Sequence, residues 1–177
     1  MRGGGMTKIL KWAGAVVALA VVVGAGIIGV AYSGLYDVAA DVPHSKPVYW
    51  LMQLTRNRSI AVHAGSVHVP SDLLATKRVL TGAGLYAGMC TSCHLAPGMA
   101  RTEISQGLYP AAPELAKGTD LSPAEEFWVI KHGIKMTGMA AWGRTHSDTL
   151  IWDMVAFLQK LPTLSPAAYQ AVIRMAP

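Results

Sequence analysis

Cysteine is scarce in this chain: of 177 residues only Cys90 and Cys93 carry a thiol. No second cysteine pair exists to complete a four-thiolate zinc site. Charge is scarce too, at 14% of residues against 52% hydrophobic. That balance is too apolar for an ordinary soluble domain of this length and predicts a membrane segment. Basic runs are missing. The net charge of +5 spreads thinly: residues 37–78 hold five cations and three anions, and residues 79–177 hold seven of each. With no basic patch and no interleaved aromatics, nucleic acid is excluded as a partner. Strand-like alternation is absent from the C-terminal section, and no internal repeat appears. The one low-complexity tract is the glycine run at 3–5.

What the chain does have begins with its longest apolar run. From Trp12 to Tyr32 it reads WAGAVVALAVVVGAGIIGVAY, and no charged residue occurs between Lys11 and Asp37. As a helix this run spans about 31 Å, matching a hydrocarbon core of about 30 Å. A cleaved signal peptide is the alternative, with Gly29–Ala31 as a small-residue cleavage site, but a signal's apolar region is typically only about 7–15 residues. An uncleaved anchor is the better reading. Arg2, Lys8 and Lys11 flank its N-terminal side, so the positive-inside rule places the N-terminus in the cytoplasm and everything after Ser33 across the membrane.

Three sections follow: a stub and anchor (1–33), a connector (34–78) and a compact domain (79–177). In the connector, Pro47 suits a first helical turn, and the residues after it form a helix of four turns or more. Trp50, Leu51, Leu54, Ala61 and Val62 share an apolar stripe on it, with Arg56 and Arg58 near the edge. Either this helix packs on its own domain or it docks on a membrane surface or partner subunit. The last section is helical and loop-rich. One helix runs from about Ala75 to Cys93. A second is capped by Ser122, with Pro123 at its first position, Glu125 completing a capping box and Gly133 ending it. A third starts at Ser147 and repeats Leu150, Ile151, Met154, Val155 and Leu158 at helical spacing before Pro162. A short last helix starts at Ser165–Pro166. The fold class is all-α.

Cys90-Thr-Ser-Cys93-His94 admits three chemistries. A zinc site would have to recruit distant histidines, and only His63 and His68 are suitably spaced. A redox dithiol expects a βαβ surround and a helix N-terminus, whereas these cysteines lie near a helix end. Both remain open, and both fit worse than the third: C-x-x-C-H is the attachment signature of a c-type haem. On a helical turn, residues i, i+3 and i+4 share a face. Cys90 and Cys93 can then hold the porphyrin edge while His94 offers a nitrogen to iron, and no thiol stays free in an oxidising compartment.

Over residues 79–162 the chain resembles the small class I monohaem cytochromes c, in a membrane-anchored bacterial form. Gly82 and Tyr86, ahead of Cys90, match a glycine and an aromatic that the family packs against its last haem-domain helix. Met154 and Phe157 match the answering residues there. Pro113 and Leu115 match the family's Pro-x-Leu, whose proline carbonyl orients the ligand histidine. The resemblance implies a methionine as second axial ligand, arriving from a loop between the capped helix and the third one. Met136 and Met139 both lie there, and GMAAWG around Met139 fits the family pattern with Ala140 where proline is usual, so Met139 is the expected ligand. Gly133, Gly138 and Gly143 are expected to bring backbone close to the ring. Met52, Met89, Met99, Met154 and Met175 read as gap fillers in the core, and His132 and His146 as helix-end or surface residues. Trp142 fits the porphyrin edge and a space-filling role equally well.

The resemblance implies one covalent haem c with iron between His94 and Met139, used for single-electron transfer, and no catalytic side chain. An open-iron enzyme or gas sensor would need neither Met136 nor Met139 to bind. The implied location is a bacterial inner membrane with the haem domain periplasmic. The implied partners are a quinol-oxidising complex, a terminal oxidase or a dehydrogenase, met as a tethered shuttle or within a complex. Ala20/Gly24 and Ala25/Gly29 give the anchor the small-residue spacing that suits a transmembrane helix partner.

Overall fold

Apolar residues on every side of a helix leave it no aqueous surface to present, and the first helix has this character. α1, Gly3–Ser33, contains a stretch, Lys8–Ser33, long and apolar enough to cross a membrane, with none of it buried against protein. The computed structural model describes residues 3–177, with side chains from Lys8 onward; Arg2 lies outside the described residues. The chain divides into two compact units, Met1–Val42 and Pro43–Pro177. Among the described residues every regular element is helical.

The second unit holds α2 (Lys46–Ala64), α3 (Thr76–Met89), α4 (Thr91–His94), α5 (Glu103–Gly107), α6 (Pro123–His132), α7 (Asp148–Leu158) and α8 (Pro166–Met175), with single 3₁₀ turns at Leu115–Lys117, Trp142–Arg144 and Leu161–Thr163. Its centre is the crossing of α3 over α7. Gly82 makes that crossing possible: a Cβ there would lie 1.8 Å from the Asp153 carbonyl oxygen and 3.0 Å from Phe157 Cβ. One turn on, the Tyr86 and Phe157 rings meet at 5.4 Å between centroids. Tyr86, Ile151, Met154, Val155, Phe157 and Leu161 are fully buried, each contributing roughly 1.5–3 kcal/mol by leaving water. Arg78 ties the two helices by charge, its Nη1 donating to the buried Asp153 carboxylate at 2.9 Å and its Nε to Asp72 at 3.1 Å.

Helix starts follow their sequence signals. Ser122 caps α6 in a full capping box with Glu125, and Ser147 and Ser165 cap α7 and α8. α6 lies on α7 through Phe127 stacked on Trp152 at 4.2 Å, and α8 brings Tyr169 to Phe157 at 6.3 Å. α7 ends at Leu158, four residues before Pro162.

α2 differs from the stripe reading in which face is covered. It packs on α6 with Ile60 and Ala64 buried and the His63 ring 5.5 Å from that of Trp128. Trp50, Leu51, Leu54, Ala61 and Val62 face outward instead. The pairing with α6 selected the mixed face, because that is the face Trp128 meets.

Candidate metal centre

α3 reaches Met89 and the chain keeps helical hydrogen bonding through the cysteines. Cys90 N–H donates to the Tyr86 carbonyl at 2.9 Å, and His94 N–H to the Cys90 carbonyl at 2.8 Å. The break between α3 and α4 at Cys90 therefore leaves Cys90, Cys93 and His94 within one continuous turn, the spacing at which residues i, i+3 and i+4 share a helical face. At Leu95 the backbone turns left-handed, φ 61°. The buried Tyr86 hydroxyl donates to the Leu95 carbonyl at 2.6 Å, which fixes the exit of the turn just after His94.

His94 is oriented from the opposite side. Its Nδ1 donates to the Pro113 carbonyl at 2.9 Å. A carbonyl only accepts, so the proton sits on Nδ1 and the lone pair is left on Nε2. Burial lowers the His94 pKa, partly offset by that hydrogen bond. A neutral imidazole with a free Nε2 is the form that binds a metal. Burial pushes the Cys90 thiol up to about 12, with Cys93 adding to the shift. A reactive dithiol needs a lowered thiol pKa, so the dithiol reading loses ground here. Neither cysteine is in a disulfide.

Cys90 and His94 line a cavity of about 30 Å³ together with Tyr86, Leu115, Ile130, Met139, Trp142, Met154 and Leu158. Apart from Cys90, His94 and the two thioethers, this lining is aliphatic or aromatic, and the Tyr86 hydroxyl is already engaged. Met139 is half-buried in it. Met136 is 80% exposed, left-handed at φ 58° and outside the cavity. Met154, read from sequence as core filler, lines the cavity as well; its place on the buried face of α7 gave no sequence signal of that. Trp142 sits in the wall. His132 and His146 stay outside, beside Trp128 and Trp142 respectively.

The loop that delivers Met139 is held by its own bonds. Met139 N–H donates to Thr137 Oγ1 at 3.1 Å, Thr137 Oγ1 donates to the Ile134 carbonyl at 2.8 Å, and Ile134 N–H reaches the Met139 carbonyl at 3.3 Å. Gly133, at φ 65°, lies flat against this strand of loop: a Cβ there would be 2.7 Å from the Met139 carbonyl oxygen. The close approaches of Gly138 and Gly143 are likewise to protein, to Leu108 and Lys131.

A covalently held haem fits this donor set in chemistry: the Cys90 thiol, an oriented imidazole and a thioether around an apolar slot, with Cys93 on the same turn but outside the lining. The cavity itself is small, about 30 Å³. A roomier cleft of about 470 Å³, between Ala87, Pro97, Met99, Pro166, Tyr169 and Ile173, contains no histidine or cysteine. The smaller cavity is the one that Cys90, His94 and Met139 share. Among the described residues no group of three or more His, Cys, Asp or Glu side chains gathers in metal-binding geometry, which leaves the zinc reading without a ligand set.

The family model for cytochrome c oxidase, cbb3-type, subunit III matches residues 77–158. The match takes in α3 through α7 and leaves α1, α2 and α8 outside it. No curated protein and no solved structure matches the chain. With C-x-x-C-H in α3–α4 and the α3–α7 crossing inside the matched segment, residues 77–158 are a c-type monohaem cytochrome domain.

Proposed function

We propose that this protein carries single electrons through one haem c, which Cys90 Sγ and Cys93 Sγ would hold covalently and whose iron His94 Nε2 and Met139 Sδ would bind. The observation that carries this reading is the meeting of Cys90, His94 and Met139 in one apolar cavity, with His94 already turned by Pro113. Bound haem c supplies a one-electron iron couple. The chain's own part is to hold and tune. Cys90 and Cys93 would fix the group to the α3–α4 turn, and Pro113 makes the His94 Nε2 more basic by accepting a hydrogen bond from Nδ1–H. Tyr86, Ile130 and Leu158 exclude water. The Met139 sulfur favours the reduced state relative to a second nitrogen ligand. Ala140 leaves the loop without the family's proline, and the Thr137–Ile134–Met139 bonds supply restriction in its place.

The α1 helix anchors the protein in a bacterial inner membrane, with Arg2, Lys8 and Lys11 on the cytoplasmic side and the haem domain in the periplasm. Of two settings, shuttle between a quinol-oxidising complex and a terminal oxidase or integral subunit of an oxidoreductase, the second has the better support. The matching family is an oxidase subunit, and the Ala20/Gly24 and Ala25/Gly29 spacings of α1 suit a helix partner.

A pyridine haemochrome spectrum tests the cofactor: a c-type band is expected, and Cys90→Ala with Cys93→Ala should abolish covalent haem. Covalent haem surviving in that double variant would sink the assignment. Purification in mild detergent tests the setting: a stoichiometric oxidoreductase partner is expected, and its absence returns the shuttle reading.

A further inference from the structure

α2 is more apolar on its exposed side than on its packed side. Trp50 is 64% exposed, Leu51 56%, Leu54 43% and Val62 66%, and Ala61 lies in the open beside them. Helical spacing sets Arg58 in the row between Leu54 and Val62. The packed side carries Gln53, Arg56 and Ser59 beside Val48, Met52, Ile60 and Ala64, with the exposed His63 at its edge. A soluble helix shows the reverse arrangement, so the outward face needs an occupant. We infer that α2 lies on the surface of an anionic bilayer, the membrane that α1 enters, with Trp50, Leu51, Leu54 and Val62 in the headgroup boundary. The inference rests on the anchor reading above.

Three observations choose lipid over protein. No acidic residue occurs between Asp41 and Asp72, while Lys46, Arg56 and Arg58 all belong to α2. Lys46 opens the helix and Arg58 lies within the bare apolar row, which complements anionic headgroups, while Arg56 is half-buried on the packed side. The composition of the face also fits: a tryptophan, aliphatics and one arginine whose stem can lie along lipid while its head stays wet. Finally, only residues 34–45 separate α1 from α2. Fully extended they reach roughly 40 Å, so the face is never far from the bilayer and a weak affinity suffices. A second copy of the chain fits poorly, because a two-fold contact would set Arg58 near its own mate with no carboxylate on α2 to receive it.

The test uses the full-length haem-loaded protein, labelled with 5-fluorotryptophan, kept reduced with ascorbate and incorporated in nanodiscs. Trp50→Phe identifies the Trp50 fluorine resonance by its loss. Expected are broadening of that resonance by doxyl-labelled phosphatidylcholine and relaxation by an aqueous gadolinium chelate about fivefold weaker than for the Leu51→Glu/Leu54→Glu variant. The broadening should be stronger in phosphatidylglycerol-containing discs than in pure phosphatidylcholine. Equal broadening in both would overturn the role of anionic lipid. Full gadolinium access in the wild type overturns the docking, and shielding from both probes assigns the face to a protein contact instead. A chain that stays out of the discs overturns the anchor reading and this one together; a chain that enters with Trp50 in water overturns this one alone. An unchanged visible spectrum in the Leu51→Glu/Leu54→Glu variant shows that its fold is kept.

Discussion

Met136 and Met139 belong to one loop but have different surroundings. Met139 lines the cavity with His94, while Met136 is exposed and held at φ 58°. Met139→Ala should therefore lower the reduction potential and remove the weak near-infrared band of sulfur-ligated ferric iron. Met136→Ala should leave both unchanged; the opposite pattern would transfer the ligand role to Met136. The same loop depends on Gly133, whose φ of 65° and 2.7 Å approach to the Met139 carbonyl leave no room for a methyl group. Backbone cannot yield as a flexible side chain does, so Gly133→Ala should cost about 1–3 kcal/mol. The displaced atoms are those of the Met139 peptide, so the same sulfur band should weaken. A drop in thermal midpoint with an intact band would mean that the loop's position does not depend on Gly133.

At the scale of elements, α6 opens with two adjacent glutamates that meet opposite fates. Glu125 closes the capping box, and the hydrogen bonds from Ser122 lower its pKa. Glu126 turns into the protein toward α7, where burial pushes its carboxyl up to about 7 despite hydrogen bonds from Thr119 Oγ1 at 3.0 Å and Gln159 Nε2 at 2.6 Å. In the unfolded chain the group ionises near 4.5. Below that pH both states are protonated and burial costs nothing. As pH rises from 4.5 towards 7 the unfolded chain releases the proton first, and the folded state loses stability until both are ionised. The loss is at most about 3 kcal/mol, less where solvent reaches the carboxylate. Glu126→Gln should flatten this dependence, so thermal midpoints between pH 5 and 8 should fall more steeply for the wild type. Parallel curves would remove Glu126 as the cause.

What was legible in the sequence follows from how local each signal is. Cys90, Cys93 and His94 lie within five positions, and helix geometry alone joins them. Ser122 and Glu125 announce a cap through a three-residue contact. Met139 is 45 positions from His94, and only the family resemblance pointed there. Glu126 looks like its neighbour until α7 covers it. The apolar stripe of α2 was readable as a stripe, but which face is covered depends on Trp128, some 80 positions after the helix begins. No periodicity in α2 encodes that.

At the scale of the whole molecule, the chain is two compact units joined near Val42–Pro43, the first of them holding the one helix long and apolar enough to cross a membrane among the described residues. The core around Tyr86, Val155 and Phe157 belongs entirely to the second unit, as do Cys90, His94 and Met139. Nothing in that core draws on α1. A protease site inserted after Ala40 should therefore release a 41–177 fragment that keeps its visible spectrum and a thermal midpoint close to that of the intact protein. Release from the membrane should itself be graded. With α1 removed, the fragment retains the apolar face and three cations of α2, so anionic membranes should hold part of it at low ionic strength and free it at high salt, where the Debye length shrinks to about 3 Å at 1 M. Sedimentation of cleaved membranes across a salt series measures this. Immediate and complete release at every salt would leave α1 as the sole attachment. A spectrum lost on cleavage would mean that the haem-bearing unit needs its anchor to stay folded, against the separation of the two cores.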